Sequence, residues 1–305
     1  MKVILDCDNT MGVKKSDVDD GLTFAYLYAH PDVEVMGITC TFANNYEHVV
    51  YYNTIQMLED LEIEDVGVYK GGRTPQAYDS EAVDFLIQTV SKYPQEIIVI
   101  AIGSLCNIAG ASVKDPQFFD KIKRLIVMGG ILEPLYLNGV LCRELNFSVD
   151  PESAAAVVYG CKKLSILTSQ CTQDAVYELQ DLENMLDRES HYMRWCRPIL
   201  SDWIERKTRD YGNRPVFINW DLCTAIYLTN PELFSTGTKR VIKKKENMKC
   251  GYLELDEEGC CDPQQVNLID IPDRIIDLPA FNRKFYEMLS RPAGIPWTVK
   301  KESNL

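Results

Sequence analysis

Short runs of apolar, β-branched residues alternate with segments of helical periodicity along the first half of the chain. VILD (3–6) precedes a helical pattern from Asp19 to His30, VEVMGITCTF (33–42) precedes one near 46–60, and VGVYKG (66–71) precedes one over 80–93. IIVIAIG (97–103), RLIVMGG (124–130) and LSILT (164–168) continue the series, with helical segments opening at Asn107 and Asp150. Strands apolar at consecutive positions have no wet face, so they belong in a parallel sheet covered on both sides by helices. The pattern predicts an α/β fold, one domain over residues 1–305 with a mostly parallel central sheet flanked by helices. The segment 176–220 reads as helical and rich in charge and aromatics, and 240–275 as strands with turns. No repeat or low-complexity linker sets either apart, so both are read as appendages to the same domain. Ligands of such sheets bind outside the carboxyl ends of the strands. That rule gathers Asp6, Asp8, Asn44, Asn45, Ser104 to Asn107 and Met128 to Gly130 on one rim.

Composition removes several function classes. The formal net charge of −13 over 305 residues opposes a phosphate backbone, so nucleic acid is not an expected partner. The start, MKVILDCDNT, has no basic n-region or long apolar stretch, and no run approaches the ~20 apolar residues of a membrane span. A cytoplasmic protein with no membrane partner is expected. The eleven cysteines are scattered and odd in number, form no CxxC, and are not matched by His30, His48 or His191 at zinc-ligand spacing. They read as reduced thiols serving as small core residues.

The chemistry-bearing feature is acidic. Asp6, Asp8, Asp17, Asp19 and Asp20 place five carboxylates within fifteen residues, between the first strand and the first helix. Asp19 and Asp20 suit a helix N-terminus in any case. Repulsion among all five is better relieved by a hard cation, and calcium accepts roughly six to eight oxygen ligands, whereas magnesium prefers few carboxylates plus phosphate. No His or Cys cluster competes for a softer metal.

Two families carry a DxD after the first strand. DCDNT (6–10) resembles the DxDxT of haloacid-dehalogenase-type, magnesium-dependent phosphatases. The chain also resembles the inosine-uridine-type, calcium-dependent nucleoside hydrolases, whose DxD is followed by a DD pair opening a helix. Five later segments favour the second resemblance. ITCTFANN places Asn44 at the family's strand-end Asn; AIGSLCNIA (101–109) matches its ALGPLTNLA; RLIVMGG matches its strand and MGG. Asn138, Glu144 and Asn146 then stand before DPESAA (150–155) at the family spacing, and NWDLCTAIYLTNP supplies a lone Asp221 before an apolar helix. A phosphatase predicts none of these.

The resemblance implies hydrolysis of the N-glycosidic bond of ribonucleosides to free base and ribose. It implies calcium held by Asp8, Asp20, the backbone carbonyl of Cys106 and Asp221, with Asp8 as general base toward the attacking water and Asp6 orienting the ligands. Asp19, Asn44, Asn138, Glu144 and Asn146 would bind ribose. The partner is then a small-molecule nucleoside, and the family habit is a homo-oligomer, a dimer or tetramer. The chain departs from the pattern twice. Ten residues, NTMGVKKSDV, separate Asp8 from the Asp19–Asp20 pair, more than the family normally has, which leaves the role of Asp17 open. Trp220 stands where many members place a histidine acid. This resembles a purine-preferring branch in which the base stacks between aromatics, and it suggests purine preference and a place in purine salvage. A non-catalytic calcium or nucleoside-binding module is the remaining alternative, should the longer loop misplace Asp8.

Overall fold

Val3, Ile4 and Leu5 are all fully buried because the strand that carries them lies between two neighbours in a sheet covered on both faces. A computed structural model describes residues 1–178, 180, 191–210 and 212–289. The chain forms β1 (Lys2–Cys7), α1 (Asp19–Ala29), β2 (Glu34–Cys40), α2 (Glu47–Asp60), β3 (Val68–Tyr69), α3 (Glu81–Lys92), β4 (Ile97–Ala101), α4 (Cys106–Lys114) and α5 (Phe118–Lys121). It continues through β5 (Arg124–Met128), a hairpin of β6 (Leu135–Leu137) and β7 (Val140–Cys142), α6 (Pro151–Gly160), β8 (Leu164–Leu167) and α7 (Ser169–Thr172). The last part holds β9 (Val176–Glu178), α8 (His191–Lys207), β10 (Val216–Ile218), α9 (Leu222–Thr229), β11 (Thr238–Ile242), β12 (Val266–Asp270) and α10 (Leu278–Leu289).

The main sheet has the order β11-β12-β8-β5-β4-β1-β2-β3, with every pair parallel except β11 on β12. Alternation along the strands feeds two cores. Val3, Leu5, Ile98, Ile100 and Ile126 face α1, α2, α8, α9 and α10, while Ile4, Val99, Leu125 and Val127 face α3, α4 and α6. The mostly parallel α/β architecture is the one the apolar runs predict.

Three boundaries differ. The strand expected in VGVYKG is only Val68–Tyr69, and α4 opens at Cys106 rather than Asn107. The segment 176–220 does carry α8, but its ends are strands: β9 and β10 pair antiparallel, with Val216 opposite Glu178. Three-residue strands are too short for a period-two signal to compete with a helical one. Residues 179, 181–190 and 211 of that segment, and 290–305 of the expected domain, lie outside the described residues. Among the described residues no helix is long and apolar enough to cross a membrane.

The ten-residue insertion after Asp8 is a fixed structure. Asn9, Thr10 and Met11 are buried; the Asn9 amide donates to Thr54 Oγ1 at 3.2 Å, and the Asn53 amide donates to the carbonyls of Asn9 and Met11, both at 3.2 Å. α2 therefore holds the loop from one side. From the other, Met11 rests on α1 at Gly21, where an added Cβ would lie 2.4 Å from the Met11 sulfur and 2.7 Å from its Cβ. Gly21→Ala should accordingly destabilise the protein, since overpacking of about 1–3 kcal/mol exceeds the roughly 0.5–1 kcal/mol that alanine gains over glycine in a helix. Chemical denaturation of Gly21→Ala, Met11→Ala and the double variant should give a double loss smaller than the sum of the singles. Additive losses would mean that the loop does not rest on α1.

Candidate active site

Asp6 lies at the end of β1, level with Thr39 of β2 and Ala101 of β4, so the middle of the sheet delivers the first carboxylate to the rim. Its Oδ2 accepts from Thr39 Oγ1 at 2.6 Å and from the Asn107 amide at 2.8 Å. Asp8 follows two residues later, just past the end of β1 and fully buried. Its backbone N–H donates to Asp20 Oδ1 at 3.1 Å, and its Oδ2 accepts from the Asn44 N–H. An added Cβ on Gly103 would come within 2.8 Å of Asp8 Oδ1, so a glycine is what lets the β4 loop pass this close.

Asp19 and Asp20 occupy the first turn of α1, and Asp221 sits at the N-terminus of α9. Each of the three brings a carboxylate oxygen within 4.8 Å of the others, at residue exposures of 3 %, 1 % and 4 %. Two helix N-termini thus point partial positive charge at the cluster, which is too little for this much buried negative charge. Desolvation, followed by repulsion from neighbouring carboxylates, pushes Asp19, Asp20 and Asp221 well above the ordinary range. Desolvation also lifts Asp6 and Asp8 to about 7 against their hydrogen bonds. Asp8 Oδ1 and Asp20 Oδ2 are buried and accept no hydrogen bond. Unpartnered oxygens, an all-carboxylate donor set and no His or Cys among them fit a hard divalent cation.

Above this floor opens a cavity of about 210 Å3. Of the residues expected from sequence, Asp19, Asn44, Glu144, Asn146, Trp220 and Asp221 line it, while Asp8 and Asp20 lie buried beneath. Glu144 is held by the backbone N–H groups of Gly130, Phe147 and Ser148, and burial raises its pKa. The Asn146 amide donates to the carbonyls of Ile102 and Met128, tying two strand ends together. Trp220 is half-buried. Cys106 is buried at the start of α4, with its thiol turned to the carbonyls of Thr74 and Ala77. Asn138 is the exception: it sits exposed at the tip of the β6–β7 hairpin, and its amide donates to the Asp210 carbonyl rather than facing the cavity. His30, His48 and His191 do not line it.

Asp17, Arg143, Ser169 and Lys207 also line the cavity and were not legible as site residues. Asp17 belonged to the acidic run, which was a usable signal; the others carry no motif. A larger depression of about 430 Å3 between His30, Asp32 and Lys284 lies at the far ends of α1 and α10 and has no comparable carboxylate cluster.

The profile of the family described as "Inosine-uridine preferring nucleoside hydrolase" matches residues 3–274. A "Probable uridine nucleosidase 1" of Oryza sativa subsp. japonica is 23 % identical over 286 residues, 85 % of this chain and 85 % of that protein. Among solved structures, a "Plant nucleoside hydrolase" aligns with a TM-score of 0.84 at 22 % identity over 95 % of this chain and 99 % of its own. A "Purine-Preferring Ribonucleoside Hydrolase from Gardnerella vaginalis" aligns with a TM-score of 0.80 at 22 % identity over 95 % and 98 %.

The raised carboxylates give the site a defined pH behaviour. In an acid whose folded pKa lies above its unfolded one, the native state binds more protons, so stability falls as pH rises from about 4 through the folded value near 7. A cation competes with those protons. The gain in Tm on adding calcium should therefore be larger at pH 8 than at pH 5, as measured by calorimetry. Equal gains at both pH values would mean that the cation binds elsewhere.

Proposed function

The chain belongs to the inosine-uridine preferring nucleoside hydrolase family, and from that premise we propose that it cleaves purine ribonucleosides, using calcium and Asp8, at the cavity on the carboxyl rim of the sheet. The observation that carries this reading is the convergence on one cavity of Asp19, Asn44, Glu144, Asn146, Trp220 and Asp221, with Asp8 and Asp20 beneath them. Asp8, Asp20, Asp221 and the Cys106 carbonyl would hold the metal. When bound, it supplies Lewis acidity that polarises the attacking water and the ribose hydroxyls.

The chain's own residues account for the rest. Asp8 takes a proton from water as the water oxygen bonds to C1′ and the C1′–N bond breaks, its electron pair leaving with the base. Positive charge develops on the ribosyl ring, and a cavity whose floor is carboxylate stabilises that charge more than the neutral substrate. Asp19, Asn44, Glu144 and Asn146 orient the ribose. Asp6, bound to Thr39 and Asn107, keeps the end of β1 in register and so positions Asp8. With no histidine lining the cavity, the base is activated by stacking on Trp220 and receives its proton from solvent. The purine assignment rests on Trp220; the name of the rice relative favours uridine, and a nucleoside panel separates the two. The resemblance further implies a homo-oligomer, dimer or tetramer, acting in the cytoplasm.

Asp8→Asn should lower kcat by roughly 10²–10⁴-fold, the usual worth of a positioned base. Its Tm without metal should be unchanged or higher, because an amide has no charge to desolvate. Near-normal turnover would remove Asp8 from the role. Trp220→Ala should depress kcat for inosine more than for p-nitrophenyl riboside, whose leaving group needs no activation. Equal losses on both would reduce Trp220 to packing.

A further inference from the structure

The hairpin of β6 and β7 stands between two cavities and forms part of the wall of both. Partners across an antiparallel pair share a face, so the register of Leu135 with Cys142, Tyr136 with Leu141 and Leu137 with Val140 sorts its side chains into two sets. Leu135, Leu137 and Cys142 are on the inner face and line the candidate active site. Tyr136 and Leu141 are on the outer face, 59 % and 61 % exposed. Against that outer face lies an apolar recess of about 580 Å3, lined by Leu141 together with Ile131, Leu132, Pro134 and Tyr252. Its floor is fixed, because the Ile131 N–H donates to the Gly251 carbonyl and the Ile131 carbonyl accepts from the Leu253 N–H, both at 2.8 Å.

The hairpin is gripped at its base and lightly held beyond it. Gln170 accepts from the Leu132 N–H at 2.9 Å and donates to the Glu133 carbonyl at 2.8 Å, while on the returning strand the Glu144 carboxylate is bound by the N–H groups of Gly130 and Phe147. Between these grips, among the described residues, the stretch from Pro134 to Cys142 reaches the rest of the molecule by a single hydrogen bond, from the Asn138 amide to the Asp210 carbonyl. Asn138 and Gly139 have φ of 50° and 75°, the left-handed pair that a tight two-residue hairpin turn requires, so the arm ends in a compact tip. A two-stranded hairpin is marginal by itself in water, so the position of this one is set by what its faces touch.

We infer that the β6–β7 hairpin is a flap over the nucleoside site, latched shut by Asn138 on Asp210, and that the recess behind it receives Tyr136 and Leu141 when it swings open. Opening exchanges one apolar seat for another. Leu135 and Leu137 leave the cavity, while two side chains that are exposed in the closed position become covered. A ligand in the cavity gives Leu135 and Leu137 a surface to cover and so favours closure. The net charge of −13 weighs against a second copy of the chain as the occupant of the recess. The inference rests on the nucleoside hydrolase reading only for the identity of the ligand; the two faces, the recess and the latch belong to the fold.

Hydrogen exchange of the backbone over 133–143, followed by mass spectrometry with calcium present, tests the flap. In the wild type it should slow when ribose and hypoxanthine are added together. Asn138→Ala removes a hydrogen bond worth roughly a two- to tenfold shift in the equilibrium, and exchange in the free protein should rise by about that factor. Cys250 is exposed and lines the recess but not the catalytic cavity, so Cys250→Trp fills the open position without touching the site. It should slow hairpin exchange and lower kcat and kcat/KM for inosine together, because opening both admits substrate and releases products. Cys250→Leu, a smaller filler, should fall in between, and Cys250→Ser should change neither quantity. Exchange that is equal with and without ligand, or unmoved by Cys250→Trp, would overturn the flap. A Cys250→Trp variant whose only effect is a changed mass in solution would also overturn it and give the recess to a second copy. A wild type that cleaves no nucleoside would instead overturn the hydrolase reading, and exchange in the free protein and its variants would then decide the flap alone.

Discussion

Carboxylates removed from water must be neutralised, and much of this molecule is arranged around that requirement. Asp6, Asp8, Asp19, Asp20 and Asp221 are each almost fully buried in one place. Burial of even one unpaired charge costs several kcal/mol or drives it to protonate. The fold meets part of the demand with hydrogen bonds from Thr39, Asn107 and the Asn44 main chain, and part with two helix N-termini. On the function proposed above, the remainder would be met by a cation and by a substrate that becomes positive as it reacts. The same deficit that makes the site costly to fold would then give it affinity for both.

The site divides into a floor and walls with different origins. The floor is delivered by the end of β1 and by the N-termini of α1 and α9, which pack on a sheet whose register is fixed by apolar burial on both faces. The walls come from elements outside that repeat: the inserted loop, the β6–β7 hairpin and α8. The loop and α8 face each other at Gly12 and Ile199, and the Asn138 amide of the hairpin donates to the Asp210 carbonyl just beyond α8. The carboxylates thus sit on the rigid part of the fold, and the walls are the part where substitutions disturb the core least.

The floor was legible in the sequence and the walls largely were not, for a physical reason. Strands buried on both faces, the paired aspartates opening α1 and the lone Asp221 before an apolar helix are local patterns, and local patterns survive in a linear reading. Which loop folds back over a cavity depends on contacts between distant segments. Asp17 drew attention only as one more acid in a run; that it lines the cavity depends on Asn53 and Thr54 far along the chain. Lys207 had no signal, since a lysine ending an amphipathic helix is ordinary. Asn138 failed in the opposite direction: its spacing to Glu144 fits the family motif, yet it lies at a hairpin tip bonded to Asp210.

The candidate metal ligands also carry a message about time. Asp8 and Asp20 stand near the start of the chain, whereas Asp221 arrives only with α9, after most of the sheet has been made. Until that late segment is in place, the early aspartates lack Asp221 beside them. An incomplete or wrongly threaded chain therefore leaves its acids in water and assembles no cation site. A cation site that needs both Asp20 and Asp221 would thus form only once these two distant segments have come together.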